Sequence, residues 1–138
     1  MARLAKEKAC PRVMAICLAA AAFSAVLPLQ QFTLAWNHSI EKIRWEEDYI
    51  VVDGRLRLTE ARIRGSGAGM EPPEGAILRN GAWHYSPRLP DLPRISLRRS
   101  GFVADYEWCT DGECKSLSAI AGPPDKNQVL DIFPCTSP

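Results

Sequence analysis

After Gln30 the chain alternates apolar and polar residues with a period of two, the signature of strands with one buried face. Phe32, Leu34, Trp36 and His38 share one parity, and Ile43, Trp45, Tyr49 and Val51 share the other. Three dipeptides, Asp53-Gly54, Asn80-Gly81 and Asp111-Gly112, fall between such runs. Each supplies the positive φ values that a two-residue hairpin turn requires. No stretch beyond residue 30 sustains a helical period, so the pattern predicts an almost wholly antiparallel all-β domain. A small antiparallel β-sandwich or partly open barrel of about seven or eight strands fits the turn spacing. Pro87-Arg88-Leu89-Pro90-Asp91-Leu92-Pro93 is too proline-rich for a central strand. It is expected to cross between halves of the fold, packed through Leu89 and Leu92.

The N-terminus has a different texture. Arg3, Lys6, Lys8 and Arg12 precede an apolar run from Val13 to Leu29 that only Ser24 interrupts. This order predicts a hydrophobic helix over residues 1–29, either a secretory signal or a retained membrane anchor. The small residues around Ala22-Phe23-Ser24 would permit cleavage, and the basic flank would keep a retained N-terminus in the cytoplasm. Bulky Ile16 before Cys17 argues against a lipoprotein signal. The predicted division is therefore 1–29 as leader or anchor, 30–121 as an exported β domain, and 122–138 as a proline-containing tail. Val129-Leu130 and Ile132-Phe133 would give that tail one short edge strand.

With 138 residues there is room for one domain. Basic residues are dispersed and balanced by acidic ones, which excludes the concentrated positive footprint of a nucleic-acid binder. Arg55, Arg57, Arg62 and Arg64 are better read as the solvated side of a strand. Across the third hairpin, Cys109 and Cys114 fall opposite each other at a non-hydrogen-bonded pair, where Cα atoms lie about 4.5 Å apart. A disulfide fits that spacing and an exported protein, whereas a zinc site would need a second cysteine pair. Cys135 is then an odd thiol.

Two segments stand out as candidate chemistry. The parity of the apolar face changes inside His38-Ser39-Ile40-Glu41-Lys42, which predicts a bulge or sharp corner there. Glu47 falls in phase with Trp45 and Tyr49 on the apolar face, so its carboxylate needs a partner: His38, an arginine, Ser39 or backbone N–H groups. Glu46 and Asp48 fall on the opposite, solvated face. Adjacent strand residues point oppositely, so His38 cannot readily activate Ser39. Ser66 lacks the spacing of a nucleophile turn. A hydrolase is therefore the least supported class. His38 and His84 lie on separate hairpins, and no metal set or cofactor site is expected. Gly65 to Gly69, including Gly67, Ala68 and Gly69, serves either as a tight corner or as a loop offering N–H groups to an anion.

Trp36-x-His38-Ser39-Ile40-Glu41, Glu47-x-Tyr49, Gly67-Ala68-Gly69 and the Cys109-to-Cys114 hairpin together resemble the DUF1850 family of small exported bacterial proteins. The resemblance runs from Phe32 to about Leu117. One departure is Met70-Glu71 before Pro72, where many relatives place proline two residues after the last glycine. Membership would imply a periplasmic location, free or tied to the inner membrane, and an accessory role beside a TAXI-type TRAP solute transporter. Its membrane subunits or substrate-binding protein would then be the partners. The resemblance transfers no catalytic residue. A periplasmic module binding an organic anion through the glycine loop and nearby arginines is the alternative.

Overall fold

A computed structural model describes residues 13–38, 43–65, 72–124 and 126–137. The chain is all-β, with two antiparallel sheets, neither closed into a barrel, and one short helix among the described residues. The larger sheet has seven strands. β3 (Gln31–His38), β4 (Ile43–Val52) and β5 (Arg55–Arg64) form its centre. β6 (Ile77–Arg79) and β7 (Ala82–Tyr85) flank β5, while β9 (Glu107–Thr110) and β10 (Glu113–Ser116) flank β3. The order is β10-β9-β3-β4-β5-β7-β6. The smaller sheet combines β1 (Met14–Ala20), β2 (Phe23–Leu27), β8 (Ile95–Arg99) and β11 (Gln128–Thr136) in the order β2-β1-β11-β8.

All three predicted turns are two-residue hairpin loops. Asp53, Asn80 and Asp111 have φ of 50°, 52° and 53°, and each is followed by a glycine that is also positive. The closing pairs Val52↔Arg55, Arg79↔Ala82 and Thr110↔Glu113 follow directly.

The core lies between the sheets. Ile16, Leu18, Leu97, Leu130 and Ile132 of the smaller sheet meet Phe32, Leu34, Tyr49, Leu56 and Trp108 of the larger. Phe32 stacks on Trp108 with centroids 4.4 Å apart and on Tyr49 at 5.3 Å. Leu117 and Ala121, at the short helix α1 (Ser118–Ala121), complete the cluster.

Several expectations are corrected. The apolar segment predicted as a helix is the β1–β2 hairpin, with β1 paired to β2 on one side and β11 on the other. A continuous apolar run suits an interior strand as well as a helix, and tertiary pairing decides between them. The C-terminal stretch is an interior strand rather than an edge. Pro134 is tolerated because β8 stops pairing at Ile95↔Ile132, so no neighbour on that side asks for its missing N–H. The bulge or sharp corner expected within His38-Ser39-Ile40-Glu41-Lys42 falls on residues outside the described ones; the flanking strands pair from Gln31↔Ile50 to His38↔Ile43. A separate, unanticipated bulge lies in β5, where Asp48↔Glu60 is followed by Tyr49↔Leu58 and Thr59 is the extra residue. It explains why Leu56 and then Ala61 and Ile63 can all be buried on one face. The proline-rich segment does cross from β7 to β8, but Leu89 and Leu92 are exposed rather than packed. Reciprocal backbone bonds between Leu56 and Leu92, both 2.8 Å, clip it to β5 instead. A two-bond ion pair from Arg57 to Asp91 supports them.

Candidate functional site

The register brings the flanks of both marked segments to one end of the larger sheet. His38 is the last residue of β3 and pairs with Ile43, and the next residue, Arg44, pairs with Arg64 at the end of β5. Ser39, Glu41, Gly67, Ala68 and Gly69 lie outside the described residues. Just inside this end, on the core-facing side, Trp36 and Trp45 stack at 6.4 Å and Tyr106 meets Trp36 edge-on at 5.9 Å.

Glu47 lies one step further along β4, laterally between Leu34 and Ala61. Its partner is a residue that the sequence reading placed beside it without pairing the two. The Tyr49 hydroxyl donates to Glu47 Oε1 at 2.7 Å. Residues i and i+2 of a strand share a face, so this bond is local and needs no corner. Burial, and then the bond to Glu47, push the Tyr49 phenol far above its ordinary pKa, so it stays a donor at every physiological pH.

The opposite face of the same sheet is an ion-pair lattice, which corrects the reading of Glu46 and Asp48 as simply solvated. Arg62 donates to Glu46 at 2.8 Å, to Asp48 with two bonds of 2.7 Å, and to Glu60 at 2.8 Å. Thr33 adds a 2.6 Å bond to Asp48, and Arg44 and Arg64 reach Glu46 at 3.0 and 3.3 Å. His84 lies 3.0 Å from Glu60. Burial pushes the Asp48 and Glu46 carboxyls up, but Arg62 together with Thr33 at Asp48, and with Arg44 and Arg64 at Glu46, outweighs it and holds both below the ordinary carboxylate range. The β5 bulge makes this lattice possible, since it returns Glu60, Arg62 and Arg64 to the face that carries Glu46 and Asp48. The change of apolar parity from Leu58 to Ile63 was the sequence signal for it.

A second polar cluster sits on the core side. Arg99 is buried, and its guanidinium binds Asp105 at 3.0 and 2.8 Å and the Gly122 carbonyl at 2.7 Å. Gln128 and Ser118 complete its shell. Arg99 and Asp105 line a cavity of about 220 Å³ together with Trp36, Asn37, Val103 and Tyr106. Phe102 and Val103 project beside it, 82 % and 63 % exposed. Neither the buried arginine nor this apolar projection was anticipated from the sequence.

The cysteines form two bridges. Cys109 and Cys114 are opposite residues of the β9–β10 hairpin, with Cα atoms 4.0 Å apart, and are disulfide-bonded. Cys135 is not an odd thiol: it is bonded to Cys17, diagonal to it across the β1–β11 pair. Two disulfides belong to an oxidising compartment outside the cytoplasm. No helix among the described residues is long and apolar enough to cross a membrane.

A family model described as a domain of unknown function, DUF1850, matches residues 32–117. The chain belongs to the DUF1850 family. The matched region covers β3 through β10, that is, the whole larger sheet and β8. It leaves out β1, β2 and β11, the strands that cover the core-facing side of the family region. No curated protein and no solved structure matches the chain.

Proposed function

We propose that this DUF1850 protein is a periplasmic β-sandwich that serves a TAXI-type TRAP solute transporter as an accessory subunit. It docks on the transporter's membrane subunits or on its substrate-binding protein. The docking surface is the sheet end that carries Trp36, Asn37 and His38 together with the Gly101–Ala104 loop. The observation behind this reading is the exposure of Phe102 and Val103, two adjacent apolar side chains beside the end of the motif strand. Paired apolar projections next to a cavity are the anatomy of a contact site, and Phe102 and Val103 differ from the exposed pair Ile77 and Leu78 in standing beside the end of the motif strand. The resemblance that led to the family supplies the kind of partner, and the two disulfides agree with export.

Capture of an organic anion by the arginines has less support. Arg44, Arg57 and Arg62 already spend their donors on the protein's own carboxylates. An anion would have to displace those pairs.

The test is affinity capture of C-terminally tagged protein from native membranes, followed by mass spectrometry. Recovery of the TRAP membrane subunits or their binding protein is the expected result. Recovery of the protein alone, from membranes shown to contain the transporter, would overturn the proposal.

A further inference from the structure

The two disulfides sit in different surroundings. Cys17 and Cys135 join interior strands 118 residues apart in sequence and are partly buried. Cys109 and Cys114 are five residues apart, in a hairpin whose inner strand is already held by the β3–β9 ladder. Opening that bridge releases little chain. Its two sulfurs are also unequal: Cys109 is 7 % exposed, whereas Cys114 lies on the fully exposed edge strand β10.

A guanidinium is fixed over the exposed sulfur. Arg44 Nη2 lies 3.7 Å from Cys114 Sγ. Arg44 is held there by two bonds to Glu107, of 2.8 and 3.2 Å, and by a third to Glu46. Glu107 and the two sulfurs lie within 4.8 Å of one another, a grouping that could suggest a metal site once reduced. The guanidinium over Cys114 disfavours a cation there and favours an anion, and the anion that this position can generate is a thiolate.

We infer that Cys109–Cys114 is a dithiol–disulfide exchange site, with Cys114 as the exchanging sulfur, Cys109 as the resolving one and Arg44 as the positioning residue. The partner class is a protein or peptide bearing two neighbouring thiols. In the first step a partner thiolate attacks Cys114 Sγ from the open edge of the sheet. The Sγ–Sγ bond breaks, Cys109 leaves as a thiolate and takes up a proton, and a mixed disulfide joins Cys114 to the partner. In the second step the partner's other thiol loses its proton and attacks the partner sulfur of that mixed bond. Cys114 leaves as a thiolate beside Arg44. The partner dithiol has become a disulfide, and two electrons have passed to Cys109 and Cys114. The reverse sequence delivers those electrons to a partner disulfide. Exposed disulfides are the exchangeable ones in general, whereas sheltered structural bridges resist reduction.

The decisive experiment uses the full-length oxidised protein in a series of glutathione redox buffers, with rapid alkylation and peptide mass spectrometry. Cys109 and Cys114 are expected to open at a reducing ratio at least about tenfold milder than Cys17 and Cys135, which corresponds to about 30 mV for a two-electron couple. The circular dichroism spectrum should stay unchanged over that interval. Simultaneous opening of both bridges, or earlier opening of Cys17–Cys135, would overturn the inference. A Cys-x-x-Ser peptide, activated at its single cysteine as a mixed disulfide with a small thiol, should load onto Cys114 of the reduced Cys109→Ser variant with release of that thiol; faster loading onto Cys109 of the Cys114→Ser variant would overturn the assignment of roles. In Arg44→Gln the pH dependence of Cys114 alkylation should move upward while that of Cys17 stays put. An unmoved profile would reduce Cys109–Cys114 to a structural staple.

Discussion

Arg99 shows how a single side chain can hold a small β fold together. Its guanidinium ties β8 to Asp105 before β9, to Gln128 at the start of β11 and to Ser118 and Gly122 around α1. Burial pushes the Asp105 carboxyl up, but Arg99 and Ser118 more than offset it and hold it below its ordinary range. Arg99→Met would strand that carboxylate, and loss of about 3–5 kcal/mol is expected from breaking one side of a buried pair. Chemical denaturation of the variant measures this directly, and a loss below about 1 kcal/mol would show the cluster to be ornamental. Asp48, Glu46 and Asp105 share a depressed folded-state pKa. A depressed carboxyl contributes stability that is complete above its unfolded value, about 4, and disappears as pH falls through the folded value. The melting temperature should therefore hold from pH 7 to pH 5 and decline below about pH 4. Asp48→Asn should start lower and decline less steeply. None of these partners was legible in the sequence, because Asp48 and Arg62, or Arg99 and Gln128, meet only through strand register. The Glu47–Tyr49 bond was nearer to hand, since strand geometry alone places the two on one face.

Among the elements, β3, β4 and the three two-residue turns could be read from alternation and from Asp-Gly and Asn-Gly, since local backbone preference and burial agree there. The register that sets Cys109 opposite Cys114 followed from the third turn alone. The first failure came in β5, where Thr59 separates Leu56 and Leu58 from Ala61 and Ile63 and the bulge that turns all four inward went unread. Deleting Thr59 would remove the bulge and make Leu58↔Tyr49 and Glu60↔Asp48 consecutive pairs, so that Glu60, Arg62 and Arg64 keep the outer face and Ala61 and Ile63 the core. The deletion is expected to keep a cooperative melt. Thr59→Ala, which loses only a 3.3 Å bond to the Asp48 carbonyl, should cost less than about 1 kcal/mol. A deletion variant without a cooperative melt would mean that the bulge itself, and not only the register around it, is required. The second failure was β1. An apolar run rich in alanine follows a basic stretch, the order of a leader or anchor helix. Only the pairing of β1 with β11, a partner from the other end of the chain, makes it a strand.

At the scale of the whole molecule, the family region is one wall of the core and the two chain ends build most of the other. Ile16 and Leu18 from the N-terminal side and Leu130 and Ile132 from the C-terminal side are fully buried against it. Removal of residues 1–29 would uncover that wall, at about 1.5–3 kcal/mol for each large apolar side chain that loses its burial. It would also delete the Cys17–Cys135 bridge, whose closure of a loop of 118 residues contributes about 4–5 kcal/mol in the chain-entropy model. The truncated protein should bind a hydrophobic dye and show no cooperative melt; a sharp transition near that of the full chain would mean that β1 is dispensable. At the motif end of the larger sheet Trp36 and Val103 line one cavity and Phe102 stands exposed next to Val103, at hand for a partner.

That surface is most directly tested by placing a photo-crosslinking amino acid at Phe102 in the full-length protein and irradiating cells that express the transporter. The account predicts one discrete adduct with a TRAP membrane subunit or its binding protein, lost when Val103 is changed to Asp and absent when the same probe replaces Ile77 on the far edge strand. Adducts from Ile77 but none from Phe102, at equal protein levels, would contradict it.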